Sequence, residues 1–285
     1  MTQLSIEKIQ MYRADTYRLN TGQQLTNLQA AAGFVQDRGF IYFWPIKGVD
    51  FPSLWTAVAG SRPVANAHND PGHVTWGWKD DSLGQRIWYY AKVLRKRATM
   101  IDLAVAPYFY ALSENYGTPE EDVRIQYHEG HLTQEAKAIF EVIQENGPMD
   151  TIAIRRATRM TSKESNSRFE RAITLLQTDF KVLPVGISDS GGWRYAFIYE
   201  LVHRYYPTLP QAARLISEAE AHRTLTRLFF LSLGAAQLRD VTRLFQWSKG
   251  AAEGAIHDLV KTGILIAALD HPEISGEWFA LQQVL

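Results

Sequence analysis

The chain has 285 residues, enough for two or three small domains, and its 46% hydrophobic content is ordinary for a globular protein. Its 30 Lys and Arg balance 30 Asp and Glu, which excludes a uniformly basic coat and makes the distribution of charge decisive. Cysteine is absent, excluding disulfides and thiolate metal sites, and no apolar run has the character of a signal peptide or a membrane span; a soluble, cytoplasmic protein is expected.

After a short lead-in, Gln24 to Arg38 places Leu25, Leu28, Ala32 and Val35 at helical spacing and stops at Gly39. The run Phe40-Ile41-Tyr42-Phe43-Trp44-Pro45 is aromatic, apolar and closed by proline, so it reads as extended. A brief helix from Pro52 to Ala59 ends at Gly60. The segment from His68 to His73 contains Asp70, but its spacing matches no strong ligand pattern, and Asn69-Asp70-Pro71-Gly72 reads as a polar turn. No metal or cofactor is expected.

Trp76 and Trp78 follow, then Ser82 and Gln85 suggest a capping box for a helix that buries Leu83, Ile87, Tyr90 and Leu94. Asp80 and Asp81, just before that cap, read as helix-end charges. The cations Lys92, Arg95, Lys96 and Arg97 would lie near the end of this helix, and Thr99 to Val105 reads as a strand. A boundary is expected near Gly117, where Thr118-Pro119-Glu120-Glu121 opens another helix.

The stretch from Leu132 to Tyr199 reads as a complete module. Thr133 caps a helix stopped by Gly147-Pro148, a second helix follows Asp150, and a third begins after Ser162. In the third, Phe169, Ala172, Ile173, Leu176 and Phe180 form an apolar stripe, while Lys163, Ser167, Arg171, Thr174 and Thr178 occupy the opposite face. Lys181 to Ile187, the Ser188 to Gly192 turn and Trp193 to Tyr199 predict a hairpin. This is a winged-helix order, with a third helix whose cations and hydroxyls suit phosphates and base edges. Arg155, Arg156 and Arg159 on the second helix and Arg194 beside the turn extend the basic face.

Pro207 and Pro210 mark a linker. Ser217 then caps a helix through Leu233, Asp240 begins a short one, and Ser248 begins a third with Ala252, Ile256 and Leu259 inward. Ile264 to Leu269 and Trp278 to Val284 make a final hairpin. The first and third helix caps are 29 residues apart in the central module (133 to 162) and 31 in the last (217 to 248), so the spacing repeats. The outer face of this last module offers only His257 and Lys261, little for DNA. The expected fold is α+β, mainly helical, with three tandem winged-helix modules over 1–117, 118–205 and 206–285.

Three consecutive winged helices resemble the AlkZ/YcaQ family of DNA glycosylases, which excise alkylated bases and unhook interstrand crosslinks. In that family a segment like Gly-Leu-Gln-x-Gln-Asp-Pro, or a Gln-x-Asp variant, follows the first long helix, with a Leu-Trp pair soon after. The corresponding stretch here is Gly39 to Pro45, followed by Ser53-Leu54-Trp55. Ile41 and Phe43 stand where the resemblance places functional polar residues, and neither can stabilise an oxocarbenium-like sugar or guide a water. The chain stops after the third unit, whereas such glycosylases continue into a C-terminal β-barrel, so it reads as a shortened relative.

These readings make duplex DNA the expected partner, without a membrane. Arg95, Lys96, Arg97, Arg155, Arg156, Arg159, Lys163, Ser167, Arg171, Thr174 and Arg194 are the candidate contacts. Tyr42, Trp44, Trp76 and Trp78 are candidates to line a base pocket, with buried core as the competing reading. Asp37 and Asp50 flank the altered motif and are the least implausible catalytic substitutes for its lost polar residues. An active glycosylase with a rebuilt site, and a winged-helix regulator or protein scaffold, remain the alternative functions.

Overall fold

The computed structural model describes residues 3–191 and 194–285, and it is α+β and mainly helical. Gly192 and Trp193 of the expected hairpin lie outside the described residues. The first part comprises α1 (Ile6–Thr16), α2 (Leu28–Arg38), β1 (Phe40–Tyr42), α3 (Leu54–Ala59), α4 (Val74–Ser82), β2 (Tyr89–Lys92), β3 (Ala98–Ile101) and α5 (Ala106–Ala111). The middle contains α6 (Pro119–His128), α7 (Gln134–Asn146), β4 (Met149–Asp150), α8 (Thr151–Ala157), α9 (Asn166–Thr178), β5 (Val182–Ser188) and β6 (Ala196–Leu201). After α10 (Val202–Tyr205) and α11 (Leu209–Ala213) come α12 (Glu218–Leu233), β7 (Ala235–Ala236), α13 (Leu238–Phe245), α14 (Lys249–Lys261), β8 (Ile266–Leu269) and β9 (Trp278–Ala280).

Three small antiparallel sheets share one plan: a short first strand pairs with the last strand of a hairpin, giving the orders β1-β3-β2, β4-β6-β5 and β7-β9-β8. Each hairpin follows a helix, so the chain repeats helix, short strand, two helices and hairpin. No helix among the described residues is long and apolar enough to cross a membrane.

Local chemistry accounts for most boundaries. The Thr133 hydroxyl accepts from the Ala136 N–H at 3.2 Å, and Gly147 closes α7 at φ +80°, where a Cβ would be strained. Asp150, Ser217 and Ser248 cap α8, α12 and α14 in the same way. Replacing Thr133 with Ala should cost about 1 kcal/mol, measurable as a lower urea midpoint. An unchanged midpoint would show that the cap is dispensable.

Four expectations change. The helix expected after Ser82 lies eight residues earlier, as α4, and Tyr89–Lys92 is a strand paired with Ala98–Ile101. Trp88, Tyr89 and Tyr90 fit a pleated, buried surface better than a helix, while Asp70 caps a 3-10 turn that leads into α4. The cations Arg95, Lys96 and Arg97 therefore sit at a hairpin turn, where Arg95 and Lys96 adopt φ +52° and +58°. Phe180 does not continue the α9 stripe. It follows the helix end at φ +55° and turns its ring onto Tyr89, centroids 4.7 Å apart.

The lead-in is a helix, α1, and its apolar side packs against the last unit rather than the core of residues 1–117. Tyr12 and Arg13 donate to Leu231 and Leu233 carbonyls at 2.9 and 3.0 Å, Gln3 pairs with Asp270, and Leu4 and Ile9 join Leu269 and Trp278 in one cluster. The N-terminal segment thus closes the last hairpin unit. A large shared core, including Phe40, Phe51, Phe109, Phe180, Phe229 and Leu244, joins the first and last units and receives Phe180 from the middle.

Strand β1 is buried on both faces. Phe40 and Tyr42 enter the shared core, whereas Ile41 and Phe43 enter another with Leu54, Trp78, Trp88 and Met100. Ile41 is 0% and Phe43 4% exposed, so these two side chains are buried in an apolar core.

Candidate nucleic-acid interface

The middle and first units meet where α9 docks on the β2–β3 hairpin. The Lys92 N–H donates to Gln177 Oε1 at 3.1 Å, Lys92 Nζ donates to Thr174 Oγ1 at 3.3 Å, and the Thr178 hydroxyl donates to the Lys92 carbonyl at 2.9 Å. Thr174 and Thr178, expected to face DNA, are thus engaged within the protein. The N-terminal part of the face remains open, with Lys163, Ser167, Arg168 and Arg171 exposed.

This docking creates a groove of about 520 Å³ between the hairpin turn, α9 and the start of α7. Lys92, Lys96, Arg97, Arg168 and Arg171 line it with Glu135 and Glu170. Arg168 lies 3.4 Å from Glu135 and Lys92 3.6 Å from Glu170. Lys96, Arg97 and Arg171 have no ion-pair partner among the described residues, so the groove has uncompensated positive charge. These three cations are among the contacts expected from the sequence; Arg168, part of the same basic cluster in the sequence, is not.

The other basic residues are more dispersed. Arg155 donates to Asn166 and stacks 4.9 Å over Phe169, tying α8 to the start of α9. Arg156 and Arg159 are exposed, Arg159 at φ +56° just beyond α8. Arg194 is exposed near Asp189, 4.0 Å away. Asp37 pairs with Arg18 at 3.2 Å, and Asp50 pairs with Arg13 and accepts from the Tyr17 hydroxyl at 2.9 Å. Those two carboxylates fasten α1 to the first unit.

The four aromatic candidates do not form one pocket. Tyr42 is fully buried, and burial raises its phenol pKa; Trp78 is also buried, in the other core. Trp44 and Trp76 do meet, centroids 5.7 Å apart, with Trp76 38% exposed. The segment near His68 is a tied turn: Arg62 binds Asp70 at 2.6 Å, and His73 Nε2 lies 2.9 Å from the Ala65 carbonyl.

Beside Trp76 is a cluster that the sequence reading did not identify. Lys79 is 2% exposed, with Nζ 2.6 Å from Asp80 Oδ1 and donating to the Tyr195 phenol oxygen at 2.7 Å. The Tyr195 hydroxyl donates to Asp80 at 2.8 Å, and the lysine lies over Trp76 and Phe197 at 4.8 and 4.7 Å. Burial lowers the Lys79 pKa against the pull of Asp80, and burial with the Asp80 contact raises that of Tyr195. A lysine between aromatics beside an aspartate was the available clue. The cluster clamps α4 to the central hairpin.

The geometry defines an α+β protein of helix-and-hairpin units with a basic groove between two of them. A family model described as AlkZ related matches residues 25–246, and the chain belongs to the AlkZ-related family. No curated protein matches the chain. In structure it is similar to the Streptomyces sahachiroi DNA glycosylase AlkZ, with 13% identity, a TM-score of 0.57 and coverage of 99% of this chain and 71% of that one. At that identity the likeness shows the fold.

Proposed function

We propose that the protein is a tandem winged-helix, DNA-binding member of its family, gripping duplex DNA in the groove between the first hairpin and α9. The observation that carries this reading is the convergence of Lys96, Arg97 and Arg171, unpaired and exposed, from separate units. Phosphates would supply their missing counter-charges. Lys163 just before α9 and Ser167 on it, with Arg156 on α8 and Arg159 just beyond that helix, extend this surface. Family membership and the fold shared with a DNA glycosylase support a repair-related role. The burial of Ile41 and Phe43 argues against glycosylase chemistry on β1.

Four to six phosphate contacts give a slope of log affinity against log salt of about −4 to −5. Fluorescence anisotropy with a labelled duplex would measure it. Arg97→Glu combined with Arg171→Glu should weaken binding about 10- to 100-fold and flatten the slope by about 2. Unchanged affinity and slope would overturn the groove as the DNA site.

A further inference from the structure

A second recess, of about 560 Å³, adjoins the basic groove, and Leu175 lines both. Its lining includes the half-buried aromatics Phe245 and Trp247, with the buried Phe109 and Phe180 behind, and its polar groups include Arg95 and Asp179. The volume and mixed lining suit a planar heterocycle held by a few polar contacts.

Asp179 sits at the C-terminus of α9, where the helix dipole disfavours negative charge. Lys181 Nζ donates to Asn115 Oδ1 at 2.6 Å and makes no ion pair with Asp179. Asn115 donates in turn to the Asp179 backbone carbonyl at 2.6 Å, leaving the carboxylate itself with no hydrogen-bond or ion-pair partner among the described residues. Glu114 is already matched with His131 at 3.0 Å. Arg95, half-buried in the same recess, likewise has no hydrogen-bond or ion-pair partner for its guanidinium among the described residues.

We propose that this recess receives an unpaired guanine from DNA lying in the groove, with Asp179 accepting from its Watson–Crick edge. A carboxylate only accepts hydrogen bonds, and a guanidinium only donates. Guanine alone among the four bases offers two adjacent donors, N1–H and the N2 amine, on that edge. Its O6 and N7 are acceptors matched to arginine, here Arg95. Adenine and cytosine place an acceptor beside their amine, and thymine flanks its one donor with two acceptors. Each would set an acceptor against the carboxylate. Phe245 and Trp247, the half-buried aromatics of the recess, supply the stacking that offsets extrusion of the base.

The inference rests on the groove reading, and one binding series separates the two. Labelled duplexes carrying a single unpaired guanine, thymine or hypoxanthine are compared with the fully paired duplex by anisotropy. The wild-type protein should favour unpaired guanine over thymine about tenfold, with hypoxanthine between them because it lacks the N2 amine. Asp179→Asn replaces one acceptor by a donor and should bring the guanine-to-thymine ratio near one. Wild-type protein that binds the paired duplex but shows no guanine preference would overturn the recess while leaving the groove. Absence of binding to every duplex would remove both.

Discussion

Replacing Lys79 with Ala is expected to destabilise the fold by about 3–5 kcal/mol, the cost of removing one partner from a buried ion pair. The ammonium is the sole cation contacting Asp80 among the described residues and also donates to the Tyr195 oxygen. Without it, a carboxylate only 16% exposed would remain with only the Tyr195 hydroxyl as a side-chain donor. Lys79→Met restores most of the lost volume but not the charge, so it should cost nearly as much. Adding Asp80→Asn should recover much of the loss, because the amide oxygen still accepts from Tyr195 and no unpaired charge remains. Urea unfolding measures all three. A loss below about 1 kcal/mol for Lys79→Ala would show that water replaces the ammonium freely.

The same cluster shows how far the sequence could be read. Capping residues carry their meaning locally, so Thr133, Asp150, Ser217 and Ser248 mark true helix starts. Helix α4 escaped because Val74, Thr75, Trp76, Gly77 and Trp78 have weak helical propensity, and tertiary contacts decide its conformation. Helix α1 escaped because its partners are the Leu231 to Ala235 carbonyls, more than two hundred residues away. The charge clusters were visible, but the meeting of Arg97 with Arg171 depends on α9 docking against β2, which no local pattern encodes. That docking also withdraws Thr174 from the expected DNA face. In β1, alternation identifies two faces, but their burial comes from cores assembled by distant elements.

Asp179 had a sequence signal, an acid at the wrong end of a helix, and its replacement tests what that placement costs. Burial raises the carboxyl pKa from 3.8 to about 6, with Glu114 reinforcing the rise and Lys181, Lys96 and His131 opposing it. The folded protein therefore holds a proton that the unfolded chain releases between those values, so this group's contribution to stability falls as pH rises through that window. Its destabilising effect is small below pH 3.8 and complete above about 6. Asp179→Asn, which cannot ionise, should be more stable than the wild type by about 3 kcal/mol at pH 7.5 but by only about 1 kcal/mol at pH 4.5. Urea midpoints at the two pH values read the difference, and an equal offset at both would overturn the buried-charge account. A variant that gains stability at neutral pH while losing its guanine preference would show that the unfavourable carboxylate is retained for binding.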